Sequence, residues 1–179
     1  MKGALKSNIV ALIPARSGSV RIKNKNVKLL AGHPLLAYTI AAAQESGIFD
    51  KVVVSSDSRM YLDLVYRYGV TTHLRPEQFA SDLSPDYEWV AHLPGAMQNR
   101  TDKARWDAFA ILRPTSPFRT AATIRRAWAQ FQAQQPADSL RAVELCKQHP
   151  AKMWVIVHSP HFPILGVHSL WYQEQRISN

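Results

Sequence analysis

The sequence predicts an α/β fold built on an open, mainly parallel sheet with helices on both faces. Three observations predict it. Short apolar runs alternate along the chain with segments of helical period. Val52-Val53-Val54 is continuously apolar, as expected of a strand covered on both faces. The order is strand, helix, strand, helix, strand with short crossovers, which favours parallel neighbours.

Asn8–Pro14 is an apolar run that ends in proline and reads as a buried strand. Ala15–Asn26 is a polar, basic loop. Pro34–Glu45 places Leu35, Leu36, Ile40 and Ala43 at helical spacing, and Gly47 marks the stop. Lys51–Ser55 is the second strand. Ser58 is positioned to cap a helix over Arg59–Tyr68, closed by Gly69. Val70–Leu74 reads as a third strand and Arg75–Pro85 as a long loop. A helix is expected over Asp86–Gln98, kinked or ended by Pro94. Asp107–Leu112 reads as a strand, Arg113–Arg119 as a loop and Thr120–Gln134 as a helix carrying Ile124, Ala127, Trp128 and Phe131. Ser139–Glu144 is a candidate further strand, whereas His158–Asn179 does not read as a compact element.

A chain of 179 residues, 46% apolar and 20% charged, suits one domain with a substantial core. Cys146 is the only cysteine, so no internal disulfide can form, and a reducing compartment is expected. The start, MKGALKSNIV, does not read as a signal peptide. No stretch approaches the roughly 20 apolar residues that cross a bilayer. A cytoplasmic protein without a membrane partner is therefore expected.

The balance of 22 Lys and Arg against 13 Asp and Glu, formally +9, favours an anionic partner. Arg16, Arg21, Lys23, Lys25 and Lys28 form the densest basic cluster, in the loop that follows the first strand. A local cluster suits a compact polyphosphate. Nucleic-acid binding usually spreads charge along a face and adds aromatic stacking, but no aromatic lies between Met1 and Leu36. No nucleic-acid partner is expected.

The ligand of such a sheet sits beyond the carboxyl ends of its strands. The loop Pro14-Ala15-Arg16-Ser17-Gly18-Ser19-Val20-Arg21-Ile22-Lys23-Asn24-Lys25-Asn26 lies at the first of these ends. Gly18 between two serines is expected to turn tightly and expose backbone N–H groups to phosphate oxygens. Arg16, Arg21 and Lys25 add charge-assisted bonds to a triphosphate. The pattern lacks the Gly-Lys-Ser/Thr ending of a P-loop and has one glycine where a dinucleotide fingerprint needs three.

This loop resembles the signature of the acylneuraminate cytidylyltransferase family, which includes CMP-sialic acid and CMP-Kdo synthetases. The signature runs Pro-Ala-Arg-x-Gly-Ser, five residues, Lys-Asn, and is matched by Pro14, Ala15, Arg16, Gly18, Ser19, Lys25 and Asn26. Three further segments resemble the family in order. They are Val52–Asp57, Leu74–Asp82 as its Arg-Pro-x-x-x-Ala-x-Asp loop, and Leu112–Arg119 as its Gln-Pro-Thr-Ser-Pro-Leu-Arg segment. The likeness covers about residues 8–155; residues 1–155 are taken as the CTP-binding domain, and 156–179 as a tail related to a dimerisation segment.

The resemblance implies a Rossmann-like fold of the nucleotide-diphospho-sugar transferase type. It also implies a reaction in which the anomeric hydroxyl of an acidic nine-carbon sugar of the sialic acid type attacks the α-phosphate of CTP and releases pyrophosphate. It assigns Arg16, Gly18, Ser19, Lys25 and Asn26 to the triphosphate and cytidine, with Arg21 assisting. Arg16, Arg21 and Lys25 would be catalytic. Arg75, Ser84 and Asp86 fall where the family contacts cytidine. Arg113, Thr115, Ser116 and Arg119 would line the sugar side, where an arginine suits a carboxylate. Mg2+ and a homodimer are implied as well.

Departures from the pattern accompany the likeness. Val20 stands where many members have lysine, and Arg113 where glutamine is usual. No aspartate follows Asp138, so the family's late Asp-x-Asp metal motif has no counterpart, and Asp57 is at best a partial substitute. The expectation is a C-terminally truncated relative. It is either an active cytidylyltransferase or a catalytically weak nucleotide-binding or interaction module.

Three other groups favour plain readings. His149, His158, His161 and His168 match no common zinc spacing. Asp82, Asp86 and Glu88 are the acids expected at a helix start. Trp128 and Phe131 read as core, and Trp154 and Trp171 as residues that bury against a partner.

Overall fold

A computed structural model describes residues 8–19, 21–81, 84–97, 106–134, 136–142, 154–159 and 162–169. The chain divides into two compact units at Arg125/Arg126.

The first unit holds a sheet of four parallel strands: β1 (Ile9–Pro14), β2 (Lys51–Ser56), β3 (Thr71–Leu74) and β4 (Ala108–Ile111), in the order β3-β2-β1-β4. Leu12 of β1 pairs with Val53 of β2 and with Ile111 of β4. The helices are α1 (Leu35–Ser46), α2 (Arg59–Tyr66) and α3 (Asp86–Met97); α4 (Ala121–Ala133) contains the division between the units.

The continuous apolar run of β1 is explained by two cores. Ala11 and Ile13 pack with Leu36, Ile40 and Ala43 of α1 and Tyr61, Leu62 and Val65 of α2. Val10 and Leu12 turn the other way, toward Val53 and toward Trp89 and Leu93 of α3. Alternation of side chains along a strand delivers successive residues to opposite faces, so both must be apolar. Each such buried side chain contributes roughly 1.5–3 kcal/mol. Helices therefore cover both faces, as the sequence predicts.

Element ends follow local chemistry. Gly47 adopts the left-handed conformation (φ 67°) and its N–H bonds the Gln44 carbonyl, which stops α1. The Ser58 hydroxyl accepts the Tyr61 N–H at the start of α2. That helix ends at Tyr66 rather than Tyr68, in a turn where the Gly69 N–H bonds the Tyr66 carbonyl.

Three expectations are corrected. Of the two outcomes expected of Pro94, a kink or an end, the end does not occur: α3 runs on to Met97. Trp89 and Leu93, each 1% exposed, fasten this helix to the sheet, and their burial offsets the one donor that proline lacks. Residues 139–142 carry no strand, and 143–144 lie outside the described residues. In the second unit Trp154–Ser159 (β5) pairs antiparallel with Phe162–Ser169 (β6), with a bulge between Val157 and Ser159. The β-branched run Val155-Ile156-Val157 carries the strand propensity for it. Trp128 and Phe131 are half-buried and stack on each other with ring centroids 5.7 Å apart. His158 lies on β5 and His168 on β6, whereas Cys146, His149, His161 and Trp171 lie outside the described residues.

Among the described residues no helix is long and apolar enough to cross a membrane. Strand order reverses at β1, whose two neighbours are β2 and β4. The loops leaving the carboxyl ends of β1 and β4 therefore diverge and open a crevice.

Candidate functional site

A cleft of about 580 Å³ opens at this reversal. It is lined by the loop after β1 (Pro14, Arg16, Ser19, Arg21, Lys25, Asn26), the loop after β3 (Arg75, Ser81, Ser84, Pro85), Asp86 at the head of α3, and the loop after β4 (Arg113, Pro114, Thr115). Among the described residues, its walls thus carry the cations Arg16, Arg21, Lys25, Arg75 and Arg113 against one carboxylate, that of Asp86. That excess of positive charge in a concave site attracts a compact polyanion.

The β1 loop is tied to itself and to β2. The Asn26 side chain, buried, donates to the Arg16 carbonyl at 3.0 Å and joins the two ends of the loop. The Ala15 N–H bonds the Ser55 carbonyl at 2.9 Å, and the Ser56 hydroxyl bonds the Ala15 carbonyl at 2.8 Å. Asp57 takes the Ser17 N–H on one oxygen at 2.7 Å and the Ser17 hydroxyl on the other at 2.6 Å.

This geometry revises the expected backbone cradle. The Ser17 N–H is given to Asp57 and the Ser19 N–H to the Ser17 carbonyl at 2.8 Å. Gly18 is not in the left-handed region, and an added Cβ there would meet nothing within 4 Å. In this conformation the Ser17 and Ser19 N–H groups are therefore taken up within the protein.

Arg75 occupies the floor. Its Nε donates to the Ser55 hydroxyl at 3.1 Å and its Nη2 to the Ser55 carbonyl at 3.4 Å. The guanidinium lies 4.5 Å above the Trp89 ring, a cation–π contact. Burial lowers its pKa to about 10; Asp57 and Asp86 act against that shift and Arg16 adds to it. It remains a cation at neutral pH. Behind it the Ser55 hydroxyl meets His73 Nδ1 at 3.0 Å. Burial, then His92 and Arg75, push His73 down to about 4, so this ring is neutral.

Asp86 joins two walls. One oxygen accepts the Trp89 indole N–H at 3.1 Å, and the other forms an ion pair with Arg113. With Glu88 it fills the acid-rich first turn of α3, while Asp82 lies outside the described residues. Ser84 donates its hydroxyl to the Gln78 carbonyl at 3.2 Å and receives Ser81 at 2.8 Å.

Most sequence-derived candidates thus converge on one cleft: Arg16, Ser19, Arg21, Lys25, Asn26, Arg75, Ser84, Asp86, Arg113 and Thr115. Gly18, Ser116 and Arg119 are not among its lining residues. The Arg119 guanidinium donates to the Arg113 carbonyl at 3.4 Å and the Arg119 backbone N–H to the Ser116 carbonyl, so both residues shape the loop that presents Arg113. Burial lowers the Arg119 pKa. Ser81 lines the cleft without having been singled out, although it lies in the Leu74–Asp82 segment. Asp57 is committed to Ser17 rather than open to a metal. Among the described residues no three His, Cys, Asp or Glu side chains converge.

Comparison with known proteins agrees with this geometry. Residues 10–154 match a family model described as Cytidylyltransferase. An N-acylneuraminate cytidylyltransferase of Escherichia coli is 43% identical over 128 residues, covering 72% of this chain and 29% of the relative. A CMP-N,N'-diacetyllegionaminic acid synthase of Legionella pneumophila is 43% identical over 120 residues, covering 66% of this chain and 51% of the relative. A pseudaminic acid cytidylyltransferase of Campylobacter jejuni is 33% identical over 140 residues, covering 75% and 58%. The chain thus spans between 29% and 58% of the length of these curated relatives. Among solved structures, a CMP:2-keto-3-deoxy-manno-octonic acid synthetase complexed with CTP superposes with a TM-score of 0.60 at 18% identity, covering 73% of this chain and 49% of that one. A cytidylyltransferase from Leptospira borgpetersenii superposes at 0.56 and 19% identity, covering 73% and 51%. These two share the fold.

Proposed function

The chain belongs to the cytidylyltransferase family, and on that premise we propose that its cleft binds CTP and directs transfer of CMP to an acidic ulosonic sugar of the sialic acid type. The observation that carries the reading is the convergence of Arg16, Arg21, Lys25, Arg75 and Arg113 on one cleft at the strand-order reversal. Relatives named for N-acylneuraminate, diacetyllegionaminic acid and pseudaminic acid support an ulosonic sugar as acceptor.

In this reading Arg16, Ser19, Arg21, Lys25 and Asn26 hold the triphosphate, and Arg75, Ser84 and Asp86 form the cytidine side. The anomeric oxygen bonds to the α-phosphorus as the bond to the β-phosphate oxygen breaks. Pyrophosphate leaves, and the hydroxyl proton passes to solvent across the open cleft. Fixed cations stabilise charge on the leaving pyrophosphate without reorganising, which is where most of the acceleration arises. Arg113 and Thr115, supported by Ser116 and Arg119, receive the sugar, with a guanidinium matched to its carboxylate.

The family implies a divalent metal, and Mg2+ is the ion proposed. The described residues do not fit a protein-held ion: Asp57 bonds Ser17, and Asp86 bonds Trp89 and Arg113. A homodimer, a cytoplasmic location and the absence of nucleic-acid and membrane partners belong to the same proposal, as does a nucleotide-binding domain over residues 1–155.

The test is pyrophosphate release from CTP with N-acetylneuraminate, legionaminate, pseudaminate and Kdo offered in turn. Release with one of these acids and none with neutral sugars is expected. CTP binding without release under any acid would replace the transferase reading with that of a nucleotide-binding module.

A further inference from the structure

The cleft's basic loop is held from one place. At the junction of β2 and α2, the Ser56 hydroxyl donates to the Ala15 carbonyl, and Asp57 accepts from both donors of Ser17. One turn further, the Tyr61 hydroxyl donates to the Asn24 side-chain carbonyl at 3.1 Å. Arg16 therefore sits between two anchored residues, and Lys25 directly follows a third.

Each tie has a physical reason to be rigid. Asp57 receives an N–H and an O–H on separate oxygens, and charge-assisted bonds of this kind are roughly twice as strong as neutral ones. Tyr61, on α2, is 1% exposed and belongs to the core cluster shared with β1 and α1, so its hydroxyl is a fixed point. Burial, with Asp57 adding to it, raises the phenol's pKa, and the group stays a donor. Asn24 itself is in the left-handed region (φ 55°), which asparagine tolerates better than most residues, and its carbonyl accepts the Val27 and Lys28 N–H groups at 3.1 and 3.0 Å. Holding Asn24 thus holds the short turn Lys25–Val27 that carries Lys25 and Asn26.

We propose that Asp57 and Tyr61 are positioning residues, which fix the loop at Ser17 and Asn24 so that Arg16 and Lys25 meet the nucleotide's phosphates in a set geometry. The proposal rests on the CTP reading for its ligand, but the clamp is readable without any ligand. Neither residue touches the nucleotide. A clamp of this kind lowers the ordering cost of binding, because the loop is already in its bound form.

The experiment compares the wild-type chain with Asp57→Asn, Tyr61→Phe and Ser17→Ala in two measurements. The first is tryptic cleavage after Arg16, Arg21, Lys23 and Lys25 without ligand, read beside the thermal midpoint. The second is the Kd for CTP by calorimetry. Faster loop cleavage with little change in midpoint is expected for Asp57→Asn and Tyr61→Phe. Weaker CTP binding, by about tenfold for each, is expected from the loss of a charge-assisted or buried hydrogen bond. Ser17→Ala removes one of the two bonds and should show a smaller effect, to which Asp57→Asn adds less than its full amount. Unchanged cleavage and unchanged Kd in Asp57→Asn and Tyr61→Phe would overturn the clamp. If Asp57→Asn does not fold, Tyr61→Phe and Ser17→Ala decide by the same criteria. If the wild-type chain does not bind CTP, the ligand reading fails, and cleavage alone then supports or overturns the clamp.

Discussion

Arg75 lies with its guanidinium 4.5 Å over the Trp89 ring, and Trp89 in turn donates its indole N–H to Asp86 at 3.1 Å. The floor of the cleft and the head of α3 are thus one assembly. Arg75 is 5% exposed and bonded by two of its nitrogens to Ser55. Lysine at this position keeps a charge but loses the planar fork and the stacking. Arg75→Lys is expected to weaken CTP binding by about 10- to 100-fold, the range of a lost hydrogen bond to a charged group, as read by titration. Trp89→Ala should cost roughly 3–5 kcal/mol of unfolding free energy by urea titration, because it empties a fully buried site.

His73 makes stability depend on pH. Its pKa falls from 6.5 to about 4 in the folded chain, so between these values the unfolded state binds more protons. The stability it contributes is complete above pH 6.5 and is lost progressively as pH falls toward about 4. The slope attributable to this one group approaches about 1.4 kcal/mol per pH unit. Urea unfolding of the chain and of His73→Asn, at a series of pH values from neutrality downward, checks it. The variant should show the shallower acid dependence.

Arg113 and Asp86 form a partly exposed ion pair, with side-chain exposures of 56% and 34%. Such pairs contribute about 0–1 kcal/mol, so Asp86→Asn should leave the thermal midpoint nearly unchanged. Arg113→Gln, which restores the glutamine usual in the resembling family, is expected to raise KM for the sugar acid about tenfold and leave the Kd for CTP within about twofold. Steady-state kinetics in the sugar, beside a CTP titration, separates the two effects.

The core should be equally demanding on both faces of the sheet. Ile13→Ala and Leu12→Ala empty opposite cores, and each is expected to lose about 2–5 kcal/mol. A large loss for one and a negligible loss for the other would mean that only one face is covered.

What the sequence made legible is what local chemistry determines. The apolar run Ile9–Ile13, the stop at Gly47 and the cap at Ser58 are each written within a few residues, and all three stand in the structure. The cleft was legible because its basic residues follow strand ends, where a parallel sheet opens. What was not legible depends on distance along the chain. Asp57 and Ser17 are 40 residues apart, and Arg113 and Asp86 are 27 apart, so no spacing rule pairs them. Arg119 is a different case: its partner, the Arg113 carbonyl, is only six residues away, but an irregular loop has no fixed period from which such a contact can be read. Pro94 shows tertiary burial overriding a local breaker, since Trp89 and Leu93 anchor the helix that contains it. Gly18 shows the reverse case. A glycine expected for its turn is outside the left-handed region, with open space where a side chain would go.

The most direct measurement is a calorimetric titration of the chain with CTP, with ATP as the control and with and without magnesium. Saturable CTP binding, with ATP at least about tenfold weaker, is the predicted result. Equal affinity for the two nucleotides would reduce the cleft to a generic polyphosphate site, and the absence of CTP binding would contradict the assignment of this cleft altogether.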